Sequence, residues 1–159
     1  MTLETAPLLV RGRFADGDPG PITAALANVP ELAGPALDFL GTVYGPTRLD
    51  PRLKEIVILR VSAANDCHYC IETHSRTAAR MGFGADEVAA LRRDADLPGE
   101  YGAIERALID FSDSISSRPA AAVSDLRPHF DDSEIVELVL LASTTILLNR
   151  LATALELPA

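Results

Sequence analysis

Between Asp131 and Leu155 runs a helix-length segment that is apolar almost all round from residue 135 to residue 148. Asp131, with Glu134 three residues on, forms an Asp-headed variant of the capping box and starts a helix there. A helix without a polar face needs partners on every side, at the centre of a helical bundle or against another subunit. A membrane span is the competing reading. Glu137 and Arg150 argue against it, because they bracket a run shorter than the ~20 apolar residues a bilayer needs.

The rest of the chain reads as helices separated by Gly, Pro and Asp, with no alternating run long enough for a strand. Residues 21–28 and 35–44 read as two short helices, the first following Gly20 and the second ending at Gly45-Pro46. Residues 1–20, rich in Gly, Asp and Pro, read as an arm. Asp50 as N-cap and Pro51 at the first helical position start a third helix, which Leu53, Ile56, Val57, Ile58, Leu59 and Val61 carry to Ala64 and mark as largely buried. Asn65-Asp66 breaks that helix and recaps the next, expected over 67–81 with Gly82 as its terminator. A short helix is expected over 85–93, and Tyr101, Ile104, Leu108, Phe111 and Ile115 mark a longer one before Pro119. Residues 123–130 are a further short candidate, interrupted by Pro128. The expected fold class is all-α, a compact helical bundle.

With 159 residues, 48% of them apolar, the chain suits one domain (1–159) with a sizeable core, and it shows no internal repeat or interdomain linker. A formal charge of −9 and a pI near 4.7 leave no basic patch for nucleic acid or an anionic membrane, so neither is an expected partner. Residues 1–13 show no charged lead with an apolar run and a small-residue cleavage site. No signal peptide is expected, and the expected compartment is the reducing cytoplasm. There a CxxC pair is more often catalytic or metal-binding than a static bridge.

The two cysteines of the chain stand at that spacing, Cys67 and Cys70, with His74 four residues past the second. On a helix, Cys70 and His74 lie about 40° apart around the axis and all three side chains fall within roughly 60°. Two such thiols can close a small disulfide ring, and an imidazole one turn away can take a proton from a thiol otherwise mostly protonated at neutral pH. The alternative of two buried small hydrophobes suits isolated cysteines better than this pair at a helix start. Zinc is the sharper rival. It wants four ligands, and beyond Cys67, Cys70 and His74 only His68 and His129 remain, neither in a recognisable second pair. No stoichiometric metal is expected, and no cofactor.

Two questions stay open on the residues alone. Glu55 either complements the dipole of its helix from the first turn or, flanked by Ile56, Val57 and Ile58, points into a pocket. The helix dipole favours Cys67 as the more acidic thiol, whereas nearness to His74 favours Cys70. Of the residues between the cysteines, His68 is expected to face solvent.

Glu55, Cys67, Cys70 and His74 together read E-x11-C-x2-C-x3-H, which resembles the active-site signature of the alkylhydroperoxidase D-like (AhpD-like) family, within the carboxymuconolactone decarboxylase-like superfamily. Leu53-Lys54-Glu55-Ile56-Val57, His74-Ser75, Met81-Gly82 and the closing Leu148-Asn149-Arg150-Leu151-Ala152 extend the resemblance over residues 35–157. It implies an all-helical subunit in a homo-oligomer, trimer or hexamer, that reduces peroxides through a dithiol/disulfide cycle. It further implies that Cys70 attacks the peroxide, Cys67 resolves the sulfenic acid, and Glu55 with His74 relays protons. The lactone decarboxylases of the superfamily lack the cysteine pair, so a decarboxylase activity is not implied. The implied partners are hydrogen peroxide or an organic hydroperoxide as oxidant and an external dithiol, lipoyl-type or thioredoxin-like, as reductant. Two other readings of the dithiol remain: a non-enzymatic redox-sensing or partner-binding switch, and a disulfide oxidoreductase acting on proteins.

Overall fold

The computed structural model of the protein describes residues 2–97, 99, 101–117 and 123–159, and among them it holds seven α-helices, one short 3-10 helix and no strand. The fold is all-α. Two compact units divide the chain, residues 1–45 and residues 46–157.

In the first unit a 3-10 helix, Arg11–Phe14, precedes α1 (Pro21–Leu26) and α2 (Pro30–Tyr44). Residues 1–20, expected as an arm, contribute three buried side chains: Ala6, Val10 and Phe14 cluster with Ala27 and Ala33, and Leu26 packs against them. The sequence reading starts α2 at Pro35, and the structure corrects this to Pro30. Pro30 sits at the first helical position, where its missing N–H costs nothing, and Pro35 lies inside the helix at the loss of one backbone hydrogen bond. The first helix likewise stops at Leu26, ahead of the expected residue 28.

The second unit holds α3 (Pro51–Ala64), α4 (His68–Arg80), α5 (Ala85–Leu91), α6 (Ala103–Ser117) and α7 (Asp132–Ala154). α3 is its centre, packed against α4, α5, α6 and α7. Its start is as the sequence dictates: Asp50 accepts the Arg52 N–H at 2.7 Å, with Pro51 at the first helical position. Ile56, Val57, Leu59 and Val61 are fully buried along it. Arg60 ties α3 to α6 by two hydrogen bonds to Asp113, at 2.8 and 2.7 Å.

Four helices of this unit end in the same way, α7 with Glu156 (φ 51°) as its left-handed residue and the Leu157 N–H on the Ala152 carbonyl at 3.0 Å. After α4, Gly82 adopts φ 90°, the Phe83 N–H reaches back to the Ala78 carbonyl at 3.1 Å, and the Gly82 N–H bonds to Ala79 at 3.1 Å, a Schellman turn. After α3 the left-handed residue is Asp66 (φ 53°), and after α5 it is Arg93 (φ 67°). The early left-handed turn at Arg93 stops α5 at Leu91, short of the expected residue 93. Residues 123–130, expected as a short helix, are a series of turns with Leu126 buried at their centre. Pro128 has no N–H to extend a helix there. Pro119, expected to close α6, lies outside the described residues.

α7 carries the capping box read from the sequence: the Glu134 N–H donates to Asp131 Oδ1 and the Asp131 N–H to Glu134 Oε2, each at 2.9 Å. One expectation about this helix changes. Its 23 residues, with an 18-residue window of mean hydropathy 1.7, are long and apolar enough to cross a membrane, so the sequence argument from length does not hold. Of the two expected settings, bundle centre or contact with another subunit, the single chain shows the first only in part. Ile135, Leu138, Leu141, Ala142 and Ala152 face the core, whereas Val136 (59% exposed), Leu140 (46%) and Leu147 (58%) form an outer stripe uncovered in the single chain. Glu137, read as a polar bracket, is paired with buried Lys54 of α3 at 3.2 Å.

Candidate active site

The Schellman turn that closes α3 also opens α4. The Asp66 N–H bonds to the Ala63 carbonyl at 3.2 Å and the Cys67 N–H to the Ser62 carbonyl at 3.1 Å. Cys67 is therefore fixed at the end of one helix and serves as N-cap of the next, where its sulfur accepts the Cys70 N–H at 3.4 Å. Its expected place in the first turn moves by one residue, since α4 begins at His68.

Both cysteines are free thiols. The sulfurs stand 2.7 Å apart and share a hydrogen bond. Cys67 is 1% exposed and Cys70 6%. The second pair is Glu55 and His74. Glu55 leaves α3 with 5% of its surface exposed, and its Oε1 lies 2.8 Å from His74 Nδ1. That settles Glu55 as a buried partner of His74 rather than a surface complement to the dipole. With the carboxylate accepting from Nδ1–H, proton exchange falls to Nε2. Cys70 and His74 lie one turn apart on α4, so the fold brings all four expected residues to one region between α3 and α4. His68 is exposed, as expected.

Hydrogen bonds divide the thiols. The Cys67 thiol is lowered to about 6, first by the hydrogen bond from the Cys70 side chain, then by the Cys70 backbone N–H, Thr153 and Asn149, all against burial. The Cys70 thiol is pushed up, because ionising it forfeits the bond it donates to Cys67 and because it is buried. The direction favours Cys67, the cysteine that the helix-dipole argument from sequence also favours, but its first cause here is the Cys70 hydrogen bond.

The sequence reading missed three residues here. Asn149 and Thr153, one turn apart on α7, add to the lowering of the Cys67 thiol, and Asn149 Nδ2 donates to Ser62 Oγ at 3.1 Å. The available signal was an amide directly after the apolar run of the last helix. Among the described residues no group of three or more His, Cys, Asp or Glu side chains converges as a metal-ligand set. A separate cavity of about 470 Å³, lined by Ala64, Arg93, Asp113, Ser114, Ser116 and Ser117, includes none of the four expected site residues.

Residues 30–109 match the model of the carboxymuconolactone decarboxylase family, half of the chain. The chain belongs to that family. YdfG of Bacillus subtilis (strain 168), an uncharacterised protein, is 29% identical over an alignment of 109 residues that covers 64% of this chain and 72% of its own. Among solved structures, a protein of unknown function from Agrobacterium tumefaciens superposes with a TM-score of 0.72 at 24% identity, over 82% of this chain and 92% of its own. A peroxidase-related protein from Ralstonia eutropha with an alkylhydroperoxidase AhpD core gives 0.72 at 24% identity, over 97% and 86%. A debrominase gives 0.75 at 21% identity, over 86% and 75%. These likenesses establish the AhpD-like fold for this member of the family.

Proposed function

We propose that this chain is a thiol-dependent peroxidase that reduces hydrogen peroxide or an organic hydroperoxide through a Cys67/Cys70 dithiol/disulfide cycle. The observation that carries the reading is the meeting of two hydrogen-bonded pairs: the thiols at 2.7 Å and the Glu55–His74 couple at 2.8 Å, one helical turn apart.

In the first step Cys70, the less buried sulfur, attacks the terminal peroxide oxygen. The S–O bond forms and the O–O bond breaks. The Cys70 proton passes to the Cys67 thiolate it already contacts, and protonated His74, oriented by Glu55, gives its proton to the departing alkoxide or hydroxide. In the second step Cys67 attacks the Cys70 sulfenic sulfur. The S–S bond forms, the S–O bond breaks, and hydroxide leaves with the Cys67 proton as water. An external dithiol, lipoyl-type or thioredoxin-like, then returns two electrons and two protons. The low ionisation of Cys67 and the attack by Cys70 are compatible on this scheme, since the Cys67 thiolate is the base that receives the Cys70 proton.

Burial of both sulfurs weighs against a disulfide oxidoreductase for protein substrates, which needs its pair exposed to a bulky partner. A homo-oligomer, trimer or hexamer, is part of the proposal, and the uncovered Val136, Leu140 and Leu147 supply apolar surface for it. Peroxide turnover with a generic dithiol as reductant tests the function, comparing the parent with Cys70→Ser and Cys67→Ser. Turnover in the parent and its loss in both variants is the expected result.

A further inference from the structure

α7 has two opposite faces. At about 100° per residue, Ile135, Leu138, Leu141, Ala142, Asn149 and Ala152 share one side of the helix, and all are buried. On the other side Asp132, Val136, Leu140, Ser143, Leu147 and Arg150 fall within about 80° of one another, and all are exposed. The outer face is thus an apolar row with an acid at its start and a base at its end, about 27 Å apart. Its order is self-complementary. Turned end over end about a point midway between residues 141 and 142, the row carries Val136 onto Leu147, Leu140 onto Ser143, and Asp132 to within one residue of Arg150. A large side chain then meets a small one near the centre, apolar pairs flank it, and opposite charges meet at both ends. Both charges are available for this. Among the described residues Arg150 enters no ion pair, and Asp132 has only an exposed one, to Arg127 at 3.1 Å. Antiparallel helices also set the positive end of each dipole beside the negative end of the other.

We propose that the outer face of α7 is a two-fold contact with a second copy of this chain, the two α7 helices antiparallel, with Val136 against the partner's Leu147, Leu140 against the partner's Ser143, and Asp132 beside the partner's Arg150. Such a contact uses the same patch on both subunits and closes on itself. It rests on the homo-oligomer of the peroxidase reading and not on its chemistry. It also narrows that oligomer: the assembly holds an even number of copies, a dimer or a hexamer built from dimers, because a bare trimer has no two-fold axis. A bilayer is the competing cover for so apolar a helix. The exposed row from Val136 to Leu147, however, spans only about 17 Å between its two charges, well short of the ~30 Å hydrocarbon core.

The test is the mass of the reduced full-length chain in solution, read by sedimentation over a dilution series, with circular dichroism as the check on folding. The parent is compared with Leu140→Arg, Asp132→Arg, Arg150→Asp and the double variant Asp132→Arg/Arg150→Asp. Leu140→Arg places a charge at the centre of the contact and should halve the assembled mass, from dimer to monomer or from hexamer to trimer. Val136→Lys and Leu147→Lys, at positions exposed in the single chain, give the same reading if Leu140→Arg does not fold. Each single charge reversal sets like charges together at both ends of the contact and should raise the dissociation constant about tenfold. The double variant restores opposite charges and should return the constant to within about threefold of the parent's. That recovery is specific to the antiparallel register. A parental mass in folded Leu140→Arg, a double variant no better than the singles, or a parent that is a trimer overturns the proposal. So does a monomeric parent, and one that floats with phosphatidylcholine vesicles gives the face to a membrane instead. Peroxide turnover in the same samples keeps the two readings apart: an even assembly without turnover removes the peroxidase and leaves the contact, whereas turnover by a monomer or a trimer removes the contact alone.

Discussion

Glu55→Gln is the perturbation that weighs the Glu55–His74 couple most sharply. Gln has the shape of Glu and stays in the same buried site, so packing is preserved. What changes is the charge 2.8 Å from His74 Nδ1. A hydrogen bond to a charged group contributes ~1.5–3 kcal/mol, and each 1.36 kcal/mol is tenfold in rate, so loss of the carboxylate's hold on the imidazolium should slow Cys70 oxidation by about 10- to 150-fold. His74→Ala removes the whole proton relay and should cost about 10²- to 10⁴-fold. Because Glu55 acts through His74, the double variant should be no slower than His74→Ala. Stability should change little, as the variant removes a buried charge and leaves no cavity. The assay is the stopped-flow rate of thiol oxidation by peroxide across pH. A Glu55→Gln rate profile equal to the parent's, or multiplicative losses in the double variant, would refute the couple.

Mild oxidant should consume two thiols per chain and give no covalent dimer on a non-reducing gel, because the sulfurs already stand 2.7 Å apart; a stable sulfenate or a dimer would contradict the intramolecular cycle. The thiolate of the reduced parent should be half formed near pH 6, and Cys67→Ser should move the midpoint upward, since the remaining Cys70 keeps the burial that raises it. The sign for stability follows. A thiol held near 6 when folded, against about 8.5 in the unfolded chain, gives stability that is fully present above the unfolded value and lost as pH falls through 6. Chemical unfolding of the reduced parent should therefore strengthen from pH 6 to about 8.5, above which the raised Cys70 acts in the opposite sense, and Cys67→Ser should lack that rise. Asp66→Gly should be neutral or stabilise by up to ~1 kcal/mol, because its left-handed backbone suits glycine, whereas Asp66→Val should cost ~1–2 kcal/mol and slow disulfide closure by displacing Cys67; thermal unfolding and oxidation rates read both.

What could be read from the sequence is what local chemistry determines. Asp50-Pro51 and the Asp131/Glu134 box act over three residues, and the structure keeps both. The CxxC at a helix start is local as well. Pro35 and Pro128 show where local signals mislead: the same residue type opens one helix at Pro30, sits inside it at Pro35, and denies a helix to residues 123–130. Glu55 was ambiguous because its burial depends on packing against α4, 19 residues away, and only resemblance joined it to His74. Asn149 lies 87 residues from Ser62, and nothing in its own segment says that α7 lays it against α3. The outer stripe of α7 was hidden for the opposite reason, since an all-apolar helix gives no periodic sign of which face stays uncovered.

The central claim is that Cys67 and Cys70 turn over peroxide as one unit. Steady-state consumption of hydrogen peroxide and of an organic hydroperoxide, with a generic dithiol in excess, tests it most directly in the parent, Cys70→Ser and Cys67→Ser. The account predicts repeated turnover in the parent, no reaction in Cys70→Ser, and at most a single sulfenate-forming event in Cys67→Ser. An inert parent with a correctly folded, reduced dithiol, or full turnover in Cys70→Ser, would contradict it.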